Sequence, residues 1–229
     1  MAKNNISIDW NWVKRQLLKK EKIPTDKKHA LKSSLGAAVN ECIAKARALA
    51  KPEVVSVRKK VLRLARGYVR LEGGTELSGN ALSSYIKDAS EACLFLATIG
   101  AGVENAATGW MKNGDHLHGY LIDSIGSFAV ESLAENFEHT LRSSCAAKKM
   151  SVSMRLSPGY CDWPIEEQAK LSKVIGFSGA GVRLTESFMM VPRKSISGLV
   201  GIGPKGLFSK TRSQCNICDK DECGYRRSK

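Results

Sequence analysis

Apolar and polar positions along the chain change period several times, and each change marks an element. Residues 7–20 (SIDWNWVKRQLLKK) place Trp10, Val13, Leu17 and Leu18 on one helical face, and Pro24 separates this short helix from the next. From about residue 25 to 50, Leu31, Leu35, Ala38, Val39, Cys42, Ile43, Ala46 and Leu49 recur at helical spacing until Pro52 stops the pattern. Segments 54–64 and 67–71 are β-branched and partly alternating, which predicts two strands, and Glu72-Gly-Gly-Thr is the turn after them. A brief helix over 80–87 precedes the apolar run 92–100 (ACLFLATIG). That run is too short and too uniformly apolar for a surface helix, so it predicts a central strand buried on both faces, with Cys93 in the core.

The pattern over 102–113 predicts a helix that Asn113-Gly114 breaks, and Asp115-His116-Leu-His118 predicts the N-terminus of the next. That next helix, 117–148, is the longest regular pattern. Leu121, Ile125, Ala129, Leu133, Phe137 and Leu141 form its apolar stripe at spacing four. Ser124, Ser127, Glu131, Glu135, Glu138 and Arg142 fall on or near the other side, so by periodicity alone Glu131 is a solvated helix glutamate. Pro164-Ile-Glu-Glu opens a helix to about residue 175, with proline in the first turn and acids at the positive end of the dipole. Segments 182–191 and 195–203 predict a strand pair joined through Pro192-Arg-Lys. The irregular interleaving of strands and helices predicts an α+β fold with a mainly antiparallel sheet flanked by helices, one of them long and central.

Composition refines this picture in two ways. With 229 residues, 43% of them hydrophobic, the chain can bury a core of its own. No apolar run approaches the ~20 residues of a membrane span, the start lacks the apolar region of a signal peptide, and seven cysteines suit reduced thiols in the cytoplasm. The net charge of +14 is concentrated: residues 1–70 hold 18 Lys and Arg against 5 Asp and Glu. This basic third can attract an acidic partner, whereas nucleic acid is not expected, because no nucleic-acid module accompanies the charge.

Two stretches carry candidate chemistry. Between the long helix and the helix at Pro164 lies Arg155-Leu-Ser-Pro-Gly-Tyr160. Arg155 is a bidentate donor for a carboxylate, Pro158-Gly159 is a turn whose glycine allows close backbone approach, and Tyr160 offers an aromatic face with a polar tip. The second stretch is Cys215-Asn-Ile-Cys218-Asp-Lys-Asp-Glu-Cys223, three thiols within nine residues. Such spacing suits zinc or an iron–sulfur cluster, with Cys161 as fourth ligand and Cys145 in reserve. Gly201-Ile-Gly203-Pro-Lys-Gly206 matches a dinucleotide fingerprint in letters only, since no βαβ unit can follow it.

Four separated blocks in order give the chain a family likeness. They are Thr98-Ile-Gly100 with Val103-Glu104; Asp123 through Glu131 and Glu135; Arg155 to Tyr160; and Leu184-Thr-Glu-Ser187 through Pro192 to Ser195-Ile-Ser-Gly198. Together they resemble the activation (reactivation) domain of cobalamin-dependent methionine synthase, in a stand-alone form with a cysteine-rich tail. The resemblance implies a bent antiparallel sheet with flanking helices. It also implies S-adenosylmethionine binding by Glu131, Arg155, Pro158, Gly159 and Tyr160, and methyl donation to reduced cobalamin held by a separate corrinoid-binding protein or methionine synthase core. It turns Glu131 from a solvated residue into a ligand. Three regions are expected: a basic helical region (1–52), the activation-like domain (53–208) and the cysteine tail (209–229). The alternative is an iron–sulfur redox protein that reductively activates a corrinoid methyltransferase through Cys161, Cys215, Cys218 and Cys223.

Overall fold

A computed structural model of the chain describes residues 2–23 and 34–208. Along it run strand β1 (Ala2–Asn4), helices α1 (Trp10–Lys20) and α2 (Ser34–Leu49), strands β2 (Glu53–Ala65), β3 (Tyr68–Leu71) and β4 (Glu76–Ser78), and helix α3 (Asn80–Tyr85). Strand β5 (Glu91–Thr98), helices α4 (Gly102–Lys112) and α5 (His116–Ala146), strand β6 (Met150–Val152), helix α6 (Gln168–Ile175) and strands β7 (Arg183–Leu184), β8 (Met190–Val191) and β9 (Ser195–Pro204) follow.

The apolar run is β5, at the centre of an antiparallel seven-stranded sheet ordered β4-β3-β2-β5-β9-β6, with β1 also pairing β2. Its side chains alternate between two cores, as the pleat demands. Cys93, Phe95 and Ala97 point to the face covered by α1, α2, α4 and α5; Ala92, Leu94 and Leu96 point to the face covered by α3, α6, Trp163 and Phe177. Burial on both faces is why no charged residue interrupts the run, and the hydroxyl of its Thr98 accepts from the Ser195 hydroxyl at 2.9 Å. A register shift between Val61 and Arg63 lets β2 pair with β1 and β5 along its first part and with β3 along its last. Such a bulge bends the strand that carries it.

The helices begin where the sequence supplies caps. The Asp9 carboxylate accepts from the Trp12 backbone N–H at 2.9 Å, and Asp115 from that of His118 at 3.2 Å. Both satisfy donors that the first helical turn leaves orphaned. Gly176, at φ 71°, ends α6 in the left-handed conformation. Among the described residues no helix is long and apolar enough to cross a membrane. The basic N-terminal region shares the main core: Val13, Leu17, Val39 and Cys42 are buried beside α5, and β1 extends the sheet.

Two expectations need correction. Strands β1, β4 and β6 were not anticipated, because three residues at an edge carry too little periodicity to mark a strand. Segment 182–191 is not one strand beside 195–203. It folds back on itself as the two-residue strands β7 and β8, while β9 pairs with β5 and β6. The cause is local: the Thr185 hydroxyl accepts from the Met189 N–H at 3.1 Å, the Thr185 N–H donates to the Met189 carbonyl at 2.9 Å, and Phe188 takes φ 62°.

Candidate functional site

The segment after β6 runs on antiparallel to β9, but not in the same register. Val152 lies opposite Ile202, whereas Leu156 bridges Leu199, so one extra residue is accommodated between them. Reciprocal backbone bonds hold the new register, Leu156 N–H to Leu199 O at 3.0 Å and Leu199 N–H to Leu156 O at 2.8 Å. This bulge inverts the alternation. Val152 belongs to the core under α5, while Leu156 is buried in the opposite core. Arg155, its neighbour, is thereby aimed at α5. A bulge re-aims a side chain in this way.

The arginine has a prepared place. A Cβ on Gly198 would lie 2.9 Å from Arg155 Cγ, 2.9 Å from the Leu156 carbonyl oxygen and 3.2 Å from Phe95 Cε1. The absence of a side chain at Gly198 therefore lets the arginine stem cross β9. Beyond it the guanidinium reaches α5, where Nη2 donates to Glu131 Oε1 at 2.5 Å and Nε lies 3.5 Å from Glu138 Oε1. The two glutamates are seven residues apart, two turns along one helix face. Side-chain exposures are 16% for Arg155, 28% for Glu131 and 15% for Glu138.

Burial sets the electrostatics. Desolvation pushes the Glu138 carboxyl above its ordinary value, with Arg155 and Arg142 opposing that shift. Burial also works against the charge of Arg155, but Glu131 and Glu138 outweigh it and hold the guanidinium above its ordinary value. The cluster thus keeps one permanent cation between two acids in a partly water-excluded place, where charges act over longer range than in water.

The loop that continues from Arg155 is fixed at its far end. Trp163 is buried, and backbone bonds from Gly159 N–H to Trp163 O (2.8 Å) and from Trp163 N–H to Tyr160 O (3.0 Å) close the turn. The Asp162 carboxylate caps α3 from outside that helix, accepting from the Asn80 N–H at 2.8 Å and the Ala81 N–H at 2.7 Å. Gly159 has φ 88°, a conformation open to glycine. Pro158 is buried, whereas Tyr160 is 57% exposed at the rim, within electrostatic reach of Arg155.

Of the expected ligand residues, Arg155 and Glu131 meet directly, and Pro158, Gly159 and Tyr160 form the adjoining turn. Glu131 is half-buried, its carboxylate held by the Arg155 guanidinium that reaches its side of α5. Glu138, Gly198 and Asp162 were missed. The i, i+7 spacing of Glu131 and Glu138 and an isolated glycine within a strand pattern were the available signals. A second polar cluster ties the 192–194 loop to α4 and α5. Lys194 Nζ lies 2.8 Å from Asp123 and donates to Ser127 Oγ at 2.9 Å, and Arg193 donates to Glu104 at 2.7 and 3.1 Å. A cavity of about 440 Å³ lies elsewhere, lined by Asn4, Ser56, Arg58, Phe137 and Thr140. Ser56 and Gly198 flank Phe95 on opposite sides, and the Phe95 and Phe137 rings pack at a tilt with centroids 4.9 Å apart, so this cavity is on the β2 side and Arg155 on the β9 side.

The cysteine expectation is divided. Cys161 sits in the turn at φ 53°, partly buried, while Cys215, Cys218 and Cys223 lie outside the described residues. Cys145 does not suit the reserve role: it is buried in the core under α5, opposite the core that Cys161 borders, and accepts from Arg58 at 3.8 Å. Among the described residues no group of three or more His, Cys, Asp or Glu is placed to hold a metal ion.

The chain is similar to known proteins in family and fold. Residues 69–215 match the family model described as vitamin B12 dependent methionine synthase, activation domain. Among solved structures the chain is similar to a crystal structure of the MetH reactivation domain bound to AdoHcy, with a TM-score of 0.65 at 17% identity, over 93% of this chain and 80% of that one. At that identity the likeness is one of fold. No curated protein matches the chain.

Proposed function

The chain belongs to the family of vitamin B12 dependent methionine synthase activation domains, and on that premise we propose that it binds S-adenosylmethionine at the Arg155 cluster and presents its methyl group to the reduced cobalt of a corrinoid held by another domain or protein. The observation that carries this is the placement of Arg155 by the bulge, between Glu131 and Glu138 and at the start of the Pro158-Gly159-Tyr160 turn. The similar solved domain carries AdoHcy, the product such a transfer would leave.

The donor's methionyl moiety combines a carboxylate, an ammonium and a sulfonium. A guanidinium matches the carboxylate in two parallel hydrogen bonds. Glu131 and Glu138 then answer the positive groups, so the ligand exchanges partners with an ion-pair cluster that already exists. Gly159 lets the backbone come close, and the Tyr160 ring provides a face at the rim for the remainder of the ligand. The corrinoid supplies the nucleophile when it is bound. This chain's residues hold the sulfonium in place and exclude water, so its contribution is proximity and orientation.

The basic N-terminal third is the proposed docking surface for an acidic corrinoid protein, with the chain acting in the cytoplasm. The cysteine tail with Cys161 is the proposed zinc or iron–sulfur set, supported by the thiol spacing and by the loop position of Cys161.

The test is methyl transfer. Methyl-labelled S-adenosylmethionine is incubated anaerobically with reduced cobalamin, with and without the chain. Faster formation of labelled methylcobalamin with the chain, lost in Arg155→Ala, is expected. An unchanged rate with well-folded protein overturns the reading.

A further inference from the structure

The Arg155 cluster is unbalanced in charge. One guanidinium faces two carboxylates, and the short contact is with Glu131 at 2.5 Å, while Glu138 stands 3.5 Å from the Nε. Glu131 therefore pairs with the cation, and the charge of Glu138 is the surplus. Glu138 is also the more buried of the two, at 15% against 28%. Among the described residues the other cation facing it is Arg142, one turn further along α5, which is exposed and so screened by salt and water. A second acid here is desolvated, which raises its carboxyl above the ordinary value, and a ligand of zero net charge would leave that acid's charge unmatched.

We propose that Glu138 is a specificity-determining residue: its surplus negative charge favours the cationic sulfonium donor over its neutral thioether counterpart. This rests on the S-adenosylmethionine reading given above. S-adenosylmethionine carries a carboxylate, an ammonium and a sulfonium, a net charge of +1. S-adenosylhomocysteine has lost the sulfonium with the methyl group and is neutral overall. A cluster of net charge −1 is complementary to the first and not to the second. Transfer of the methyl group removes the ligand's extra charge, so the same carboxylate that favours the donor ceases to hold the product. Discrimination thus comes from the charge that the reaction itself eliminates, and no contact with the methyl group is needed.

The test is titration of the full chain and its variants with S-adenosylmethionine and, separately, S-adenosylhomocysteine at fixed ionic strength. The wild type is expected to bind the sulfonium more tightly. Glu138→Gln, nearly isosteric, should lower the sulfonium-to-thioether affinity ratio by about tenfold, the scale of one partly screened unit charge, with thioether affinity little changed. Glu138→Asp keeps the charge and should keep the preference, which covers the case in which the glutamine variant folds poorly. A merely structural role would weaken both ligands together and leave the ratio alone; an unchanged ratio in Glu138→Gln overturns the inference while leaving the binding reading intact. Failure of the wild type to bind either ligand overturns both.

Discussion

Gly198→Ala isolates the role of the bulge. The added Cβ would sit 2.9 Å from Arg155 Cγ and 2.9 Å from the Leu156 carbonyl oxygen. Neither is the free end of a flexible chain: one is the stem of the arginine and the other is backbone held by two reciprocal hydrogen bonds. Either the 153–156 segment lifts away from β9 or the arginine swings off the two glutamates. Overpacking of this kind costs about 1–3 kcal/mol, and in a chain of this size each kcal/mol lowers Tm by about 2–4 °C. The control lies three residues on. A Cβ at Gly201 would meet Ile86 Cγ2 at 2.8 Å and Ile86 Cβ at 2.9 Å, on the opposite face of the sheet. Gly201→Ala should therefore destabilise comparably while its added carbon lies on the face away from Arg155, the backbone bonds of Gly201 to Ser153 being left in place. Thermal unfolding and calorimetric titration with S-adenosylmethionine are measured on both variants. Comparable loss of Tm, with affinity reduced more than about tenfold only in Gly198→Ala, is expected, since 1.4 kcal/mol corresponds to tenfold. Equal binding by Gly198→Ala and the wild type would refute the claim that this glycine seats the arginine.

Four further outcomes follow from the same geometry. Asp162→Ala removes the carboxylate that caps α3 from the site loop and should cost about 1 kcal/mol by denaturant unfolding, with weaker ligand binding as the loop loosens. In the Lys194–Asp123 pair the lysine is the buried member, its side chain 8% exposed against 34% for the aspartate. Asp123→Asn, which leaves the buried ammonium with the Ser127 hydroxyl but no ionic partner, should therefore destabilise more than Lys194→Met, which leaves a carboxylate that reaches water; the reverse order in urea midpoints would contradict this. Because the Glu138 carboxyl is raised by burial, the folded chain keeps a proton there that the unfolded chain has released. In the window just above the ordinary value of 4.5 its contribution therefore favours the folded state less as pH rises. As that proton is taken up on acidification, amid Glu131, Arg142, Arg155 and Tyr160, affinity for the sulfonium should fall, and Glu138→Gln should flatten that part of the pH profile. Neutralising Lys19 and Lys20, at the exposed end of α1, should weaken docking on an acidic corrinoid protein and reduce its salt dependence; unchanged affinity would remove that surface from the account.

Much of the fold was legible because its elements announce themselves locally. The run 92–100 could only be a strand buried on both faces, and the stripe from Leu121 to Leu141 could only be a long helix with one face in a core. Sheet order and the fate of 182–191 were not legible. The turn that splits that segment depends on a threonine hydroxyl satisfying a backbone amide four residues on, which hydrophobic pattern does not record. The site was half legible. Arg155, Gly159 and Tyr160 are marked by residue type, but periodicity placed Glu131 in solvent and gave Glu138 no role. Their surroundings depend on an arginine that reaches α5 only because the register slips by one residue between Val152 and Leu156, and hydrogen-bond register is a tertiary property. The family resemblance named Glu131, which the structure sets beside Arg155. Glu138 needed the structure.

The most direct measurement is calorimetric titration of the purified chain with S-adenosylmethionine beside Arg155→Ala, with circular dichroism to establish that the variant is folded. The account predicts saturable binding by the wild type and none by the variant at the same concentrations. Undiminished binding by a folded Arg155→Ala would contradict the assignment of the site, and its absence from the intact wild type would leave the family likeness as one of fold.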